Sequence, residues 1–331
     1  MKNILPVFFL IAVLHVFSNQ ISAQDIHYSQ FYNSPLTVNP ALTGRVNGTL
    51  RVAGIYRNQW ASIISPFVTP SVSFDMPLYF ENGKSAIGIG ALILSDKSGS
   101  SGLTNQTIGL SSAIHFGIGE KSQLSFGLQL AMVQRRVDQT KLVWASDFNG
   151  FDPAPIPTDG LSNDNFIHGD MNGGFLWSTV FNPKIKFYAG VSFFHLTEPN
   201  ESFLGEANKL PMRYLAHGGF EIALSDKIDL LPSLLWMQQQ KFQELNLGAA
   251  FGFNLSDHST LYLGVYDRLS DAFITYAGFR FHEFTFGFSY DITTSVLKDS
   301  NSGKGGFELS LIYTAVQILP ETKSILFCPR F

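Results

Sequence analysis

Apolar and polar residues alternate along much of the chain, and the alternation is clearest towards its end. Residues 284–291 read FTFGFSYD, residues 307–313 read FELSLIY, and residues 124–130 read LSFGLQL. Successive side chains of a β-strand point to opposite faces, so each segment has one apolar face and one polar face. The pattern therefore predicts amphipathic strands.

The same pattern predicts fourteen strands along the chain. They cover residues 47–58, 68–78, 84–95, 103–117, 121–136, 172–182, 185–196, 211–225, 227–238, 241–254, 259–268, 271–281, 283–292 and 305–315. Strands of a soluble β-sandwich, the alternative fold, are commonly nearer six residues long. We predict an all-β fold: a transmembrane, antiparallel, up-and-down β-barrel of about 14 strands.

The lengths of the connections support the barrel. Short turns are predicted at residues 119–120, 182–184, 225–226 and 256–258. They alternate with long loops at 137–171, 197–210 and 293–304, and the connection at 268–271 is a short exception. Outer-membrane barrels have short periplasmic turns and longer external loops. We expect both ends of the barrel sequence on the periplasmic side.

Composition agrees with a barrel whose two faces differ. Charged residues make up 15% of the chain, against about 25% in ordinary soluble proteins. The mean hydropathy is only +0.11 although the chain has 31 Phe, because lipid-facing and lumen-facing positions average out. The formal net charge of −4 gives no indication of nucleic-acid binding.

The chain begins with the features of a secretory signal peptide. Lys2 precedes an apolar stretch at 4–17, and the small residue Ala23 marks the expected cleavage site. We predict a signal peptide at 1–23 and an irregular N-terminal segment at 24–46. The barrel follows at 47–316 and a C-terminal tail at 317–331. We expect the N-terminal segment on the periplasmic side, either in the lumen or docked on a partner.

Charged residues within the predicted strands should face the lumen. A charge on the lipid face costs about 2–4 kcal/mol at the middle of the membrane. Arg51 and Arg57 share one face of the first strand, while Asp75 and Glu308 lie between apolar neighbours on the second and last strands. Closure brings these strands together, so we predict a lumenal charge cluster of these four residues with a mainly structural role.

The sequence lacks a convincing catalytic or metal-binding pattern. Ser111 and His115 lie four residues apart on one predicted strand, too far for a direct hydrogen bond. Residues 147–152 resemble the start of a calcium loop, but the Glu at its twelfth position is missing. Cys328 has no second cysteine to pair with and is either a free thiol or a link to another chain. We predict no catalytic residues, no cofactor and no metal.

Short motifs spread over the whole mature chain resemble the PorP/SprF family. They are QDIHYSQFY at 24–32, NPALTG at 39–44, RNQW at 57–60, FDPA at 151–154, YAGVS at 188–192, HL at 195–196, HGG at 217–219, SYD at 289–291, GFELS at 306–310 and CPRF at 328–331. The resemblance implies a non-enzymatic outer-membrane barrel of the type IX secretion system. The partners that it implies are secreted proteins with C-terminal sorting domains, such as gliding adhesins, other secretion components including periplasmic lipoproteins, and outer-membrane lipid.

Two sets of residues are candidates for partner binding. Tyr28, Phe31 and Tyr32 are aromatic residues of the N-terminal segment, and aromatic residues often dominate interface energetics. Their alternative role is to fill the lumen. The long loops contribute Asp147, Asp152 and Phe203.

An outer-membrane channel or hydrophobic-solute transporter is the alternative function. A transporter of this kind needs an apolar lumenal pocket, and the predicted inward faces, rich in Ser, Gly, Thr and Gln, disfavour one. An open porin needs an unblocked lumen.

Overall fold

Fourteen antiparallel strands form a closed barrel in the computed structural model, which describes residues 25–61, 65–80, 85–99, 102–142, 161, 163–205 and 207–315. The strands are β1 (Leu50–Gln59), β2 (Phe67–Tyr79), β3 (Ser85–Ser98), β4 (Leu103–Ile118), β5 (Ser122–Arg136), β6 (Asn165–Asn182), β7 (Ile185–Phe194), β8 (Arg213–Ser225), β9 (Ile228–Gln239), β10 (Phe242–Ser256), β11 (Ser259–Arg268), β12 (Ala272–Phe281), β13 (Phe284–Thr293) and β14 (Lys304–Ala315). Each strand pairs with its neighbours in sequence, and β1 pairs with β14 to close the barrel. The predicted fold is therefore confirmed.

Helices are few and short. The described residues contain five, at Phe31–Asn33, Pro35–Val38, Pro40–Leu42, Gln139–Lys141 and Lys298–Asn301. None of the helices described has both the length and the apolar character that crossing a membrane would require.

An apolar band surrounds the outside of the barrel. Large hydrophobic side chains are exposed at alternate positions of neighbouring strands, among them Val72, Phe74, Ile89, Ile93, Ile108, Leu110, Leu128, Leu130, Phe286, Phe288, Leu309 and Leu311. The positions between them face the lumen and hold buried polar residues such as Ser73, Ser111, Gln129 and Ser289. Apolar-out, polar-in alternation is the pattern of a transmembrane barrel.

The two ends of the barrel have different connections. At the short-turn end, strands are joined by residues 80–84, 119–121, 183–184, 226–227, 257–258 and 282–283. At the long-loop end, three connections are extensive, at residues 137–164, 195–212 and 294–303. This end also has short connections at 240–241 and 99–102 in addition to 269–271, so the difference between the ends is less complete than the sequence suggested.

One side of the barrel is taller than the other. Strands β3 to β6 have 14, 16, 15 and 18 residues, whereas β7, β11, β12 and β13 have 10 residues each. On β5 the outward stripe is apolar up to Met132 and continues with Gln134 and Arg136. The upper parts of β3 to β6 therefore rise beyond the apolar band at the long-loop end.

The sixth strand starts earlier than predicted. The alternation indicated residues 172–182, whereas β6 covers Asn165–Asn182. The first part of β6 belongs to the tall side, above the apolar band, where neither face has to be apolar. Its outward face carries Asn165 and Gly169 between the apolar Ile167 and Met171, and Asp170 lies on the inward face. The alternation of apolar and polar residues therefore does not predict a strand in this part of the chain.

Candidate functional site in the barrel lumen

Residues 25–46, hereafter the lumenal segment, run through the inside of the barrel. Asp25 contacts His195 just after β7 at the long-loop end, with 2.6 Å between carboxylate oxygen and ring nitrogen. The backbone N–H of Gly44 donates to Asp75 near the short-turn end of β2, at 2.7 Å. The sequence analysis placed this segment on the periplasmic side, either in the lumen or docked on a partner. In the structure it spans the lumen, with its first described residue at the long-loop end.

Short helical turns compact the lumenal segment. Pro35 and Pro40 stand at the first positions of their turns, where the missing N–H of proline costs no hydrogen bond. The side chain of Asn39 accepts the backbone N–H of Ala41 at 2.8 Å and caps the last turn. Most residues of the segment are buried, polar ones included.

The barrel wall is shaped to receive the segment. A Cβ atom at Gly127 of β5 would lie 2.2 Å from the backbone nitrogen of Ala41, and one at Gly174 of β6 would lie 1.9 Å from Oδ1 of Asn39. Both distances are too short for any real contact, so only glycine fits at these positions while the segment is in place.

Glu308 of β14 joins the lumenal segment to the strands that close the barrel. Its two carboxylate oxygens accept the backbone N–H groups of Ser29 and Gln30 at 2.7 and 2.8 Å. The same carboxylate forms an ion pair with Arg57 of β1, its register partner across the closing seam. One buried side chain thus holds the segment and both strands of the seam.

Asp291 of β13 extends this contact. Its carboxylate accepts the hydroxyl of Ser29 at 2.7 Å, lies 3.1 Å from Arg57, and also pairs with Arg268 of β11. We call Arg57, Arg268, Asp291 and Glu308 the seam cluster. All four side chains are at most 3% exposed. Two positive and two negative charges balance there, which is what burial of ionised groups requires.

The four residues predicted to form one charge cluster lie in two places. Arg57 and Glu308 belong to the seam cluster, whereas Arg51 pairs with Asp75 at 2.8 Å nearer the short-turn end. The sequence reasoning missed Asp291, although its place on the polar face of an alternating strand was a usable signal. Arg268 was also missed, although it is the last residue of the predicted strand 259–268 and of β11.

A second charged group fixes the segment at the long-loop end, and we call it the mouth anchor. The ring of His195 lies between two carboxylates, 2.6 Å from Asp25 and 2.8 Å from Asp170, and Arg213 is 3.4 Å from Asp25. Burial alone would lower the pKa of His195, but the two carboxylates raise it to about 9. Burial would likewise raise the pKa of Asp25, but Arg213 and His195 lower it overall. Both groups are therefore charged at neutral pH.

Polar side chains of the wall bind the middle of the segment. Asn39 lies 3.0 Å from Nε2 of His217, and the hydroxyl of Thr43 lies 2.6 Å from that of Ser111. His115 bonds the carbonyl oxygen of Thr43 at 2.8 Å. Ser111 and His115 thus hold the segment rather than each other. Within the described residues, no group of three or more His, Cys, Asp or Glu could hold a metal ion.

Comparison with known proteins identifies the family. Residues 20–313 match the type IX secretion system membrane protein family PorP/SprF. The chain belongs to the PorP/SprF family. No protein of curated function matches the sequence.

Solved structures of similar shape are outer-membrane barrels. The toluene transporter TbuX of Ralstonia pickettii is 9% identical, with 86% of this chain and 94% of TbuX covered and a TM-score of 0.54. The toluene transporter TodX of Pseudomonas putida is 9% identical, with 89% and 98% covered and a TM-score of 0.53. The monoaromatic hydrocarbon channel CymD is 12% identical, with 90% and 95% covered and a TM-score of 0.50. At these identities the likeness concerns the fold alone.

The aromatic candidates of this PorP/SprF barrel lie inside the lumen. Tyr28 packs on β1 and β3 and is 2% exposed, and Phe31 is 3% exposed. Tyr32 contacts the rings of Tyr266 and Tyr276, with centroids 5.5 and 5.4 Å apart. In this arrangement they fill the barrel, and a partner can reach them only after the segment has left the lumen.

Of the three loop candidates for partner binding, only Phe203 lies within the described residues. Asp147 and Asp152 lie outside the described residues. Phe203 lies in the connection after β7 and packs against Phe166 of β6, with ring centroids 4.8 Å apart. It is half-buried, so it supports the tall side of the PorP/SprF barrel and leaves only part of its ring for a partner.

Proposed function

We propose that this protein is a closed, non-enzymatic component of the type IX secretion system in the outer membrane. It supports the secretion and surface attachment of proteins with C-terminal sorting domains, including adhesins. Family membership supports the secretion role. The filled lumen supports a scaffold rather than a conduit, because a covalently attached segment is held there by buried ion pairs and hydrogen bonds from end to end.

The proposal includes an orientation. The signal peptide is removed after Ala23, the short-turn end faces the periplasm, and the long-loop end faces outward, as in other outer-membrane barrels. Periplasmic lipoproteins of the secretion system then meet the short turns, and secreted proteins meet the long loops and the tall side of β3 to β6.

Hydrophobic-solute transport is the competing function, because the structures of similar shape include transporters and a channel for aromatic hydrocarbons. The two functions differ in whether the lumen conducts. The purified protein in planar bilayers should show no stable conductance steps. Stable steps from the unaltered protein would favour a channel.

Partner capture and secretion test the proposal together. The tagged protein is purified from its native outer membrane in mild detergent, and an unrelated tagged outer-membrane barrel serves as the control. We expect proteins with C-terminal sorting domains, or other secretion components, to co-purify specifically, and we expect a deletion strain to lose those proteins from its surface. Recovery of the protein alone, with normal secretion in the deletion strain, would overturn the proposal.

A further inference from the structure

The first part of β6 has one unpaired edge. β6 pairs with β5 from Asn165 to Thr179, but its pairing with β7 begins only at Gly173. β7 ends at Phe194 and is much shorter than β6. Among the described residues, no strand pairs with β6 on the β7 side between Asn165 and Asn172.

Hydrogen bonds show which backbone groups face this edge. The carbonyl oxygen of Met171 accepts from Leu196 on the β7 side at 2.9 Å, and the carbonyl of Asp164 accepts from Val137 on the β5 side at 2.9 Å. Backbone groups alternate sides along a strand, so odd-numbered residues of β6 face the β7 side. The N–H and C=O groups of Asn165, Ile167 and Gly169 therefore form what we call the open edge. Among them, the carbonyl oxygen of Gly169 lies 3.3 Å from Nδ1 of His168.

The described residues after β7 form no backbone hydrogen bond with the open edge. Their backbone bonds β6 through Leu196, which donates to the carbonyl of Met171, and through His195, which donates to the side chain of Asn172 at 3.0 Å. Further on, the carbonyl of Phe203 accepts from Asn163, just before β6, at 3.1 Å. Between these points Glu201 turns inward to bind His168 and Arg135, each at 2.8 Å. The intervening chain is thereby drawn to the lumen side of β6.

The surroundings of the open edge suit a further strand. Ile167 is 59% exposed although it lies above the apolar band. A side chain at Gly169 would meet no atom within 4 Å. Arg136, the register partner of Asn165 on β5, is exposed on the same outward face and offers a positive charge.

We propose that the open edge receives an extended segment of a secreted protein by β-strand addition. This inference rests on the proposed function. The added strand pairs its backbone with Asn165, Ile167 and Gly169, places an apolar side chain beside Ile167, and carries an acidic residue near Arg136. Strand addition takes its affinity from backbone hydrogen bonds and its specificity from alternate side chains. Proteins usually cover or blunt edges of this kind.

Photo-crosslinking in living cells tests the geometry of this site. p-Benzoylphenylalanine is placed at position 165, 167 or 169 of the full chain, and at position 134 as the control. Gln134 pairs with Ile167 in register, and its own strand is paired on both sides. We expect crosslinks from 165, 167 and 169 to residues spaced two apart in one segment of a secreted protein, and none from 134. Crosslinks only to lipid, to this chain or to a second copy of it would overturn the inference.

A backbone variant tests the hydrogen bonds themselves. Ile167→Pro removes an N–H that faces the open edge and spares the bonds to β5, while Ile167→Val keeps it. With the crosslinker at 165, the proline variant should crosslink about tenfold less, the equivalent of roughly 1.4 kcal/mol, and the valine variant should stay within about twofold. Equal crosslinking by both variants would overturn strand addition.

The result separates this inference from the function on which it rests. If deletion of the protein abolishes secretion but the proline variant secretes and crosslinks normally, only the open-edge site is wrong. If deletion leaves secretion unchanged, the proposed function is wrong.

Discussion

Neutralising Glu308 should weaken the whole barrel, because this carboxylate is the point where the lumenal segment meets the closing seam. Glu308→Gln keeps the size of the side chain but removes its charge. Within the seam cluster, Arg57 and Arg268 then share the single carboxylate of Asp291, while Arg268 keeps its pair with the exposed Asp271 at 3.1 Å. The backbone N–H groups of Ser29 and Gln30 lose a charged acceptor. The seam cluster changes from neutral to a net positive charge in a buried site.

The size of the effect follows from burial. Removing one partner of a buried ion pair costs about 3–5 kcal/mol, because the remaining charge is left without compensation. With an m-value of about 3 kcal/mol/M in urea, the midpoint of unfolding should fall by about 1 to 2 M. Arg57→Gln should cost a similar amount. The double variant restores neutrality between Arg268 and Asp291. Its loss of unfolding free energy should therefore be clearly smaller than the sum of the losses of the two single variants.

Urea titration of the protein in detergent micelles, followed by tryptophan fluorescence, measures these shifts. Glu221→Gln is the matched control, since Glu221 pairs at 2.8 Å with Lys186, whose side chain is 27% exposed. Glu221 is only 10% exposed, but water reaches the lysine that the substitution leaves behind, so the loss of stability should be smaller than that caused by Glu308→Gln. The reasoning fails if Glu308→Gln shifts the midpoint no more than Glu221→Gln does, or if the losses of the two seam variants simply add.

Three further predictions concern the lumenal segment. The pKa of His195 is about 9 in the fold against 6.5 ordinarily, so its contribution to stability is complete below pH 6.5 and disappears as pH rises through 9. The urea midpoint of the unaltered protein should therefore fall over that window relative to His195→Gln, and parallel curves would contradict the mouth anchor. Gly127→Ala should cost about 1–3 kcal/mol because its Cβ would strike Ala41. Gly109→Ala, whose Cβ would meet only ordinary contacts at 3.5 Å or more, should be nearly neutral in the same titration. Mass spectrometry of the intact protein from its native membrane should find a chain that starts at Gln24, and any other start would refute cleavage after Ala23.

The fold was predictable where lipid imposes a pattern. Residues 284–291 alternate because each outward position meets lipid and each inward position meets a polar lumen, and β13 follows directly. The same rule fails above the apolar band, which is why the start of β6 was missed. No periodicity rule reaches Ser29 and Gln30, whose partner Glu308 lies far along the chain. Their burial depends on complementarity with a wall that exists only once the barrel has closed.

The filled lumen bears on how such a barrel can serve secretion. The segment is attached to β1 at the short-turn end, is held by the seam cluster, and is fixed again at the mouth by Asp25. Releasing it would take two backbone N–H donors from Glu308, the Ser29 hydroxyl from Asp291 and the carboxylate of Asp25 from His195. Each hydrogen bond to a charged group contributes about 1.5–3 kcal/mol. The free energy of the barrel therefore favours a lumen that stays closed. Its contacts with secreted proteins should then lie on its rims, and the tall side with the open edge of β6 is the rim that rises furthest beyond the membrane.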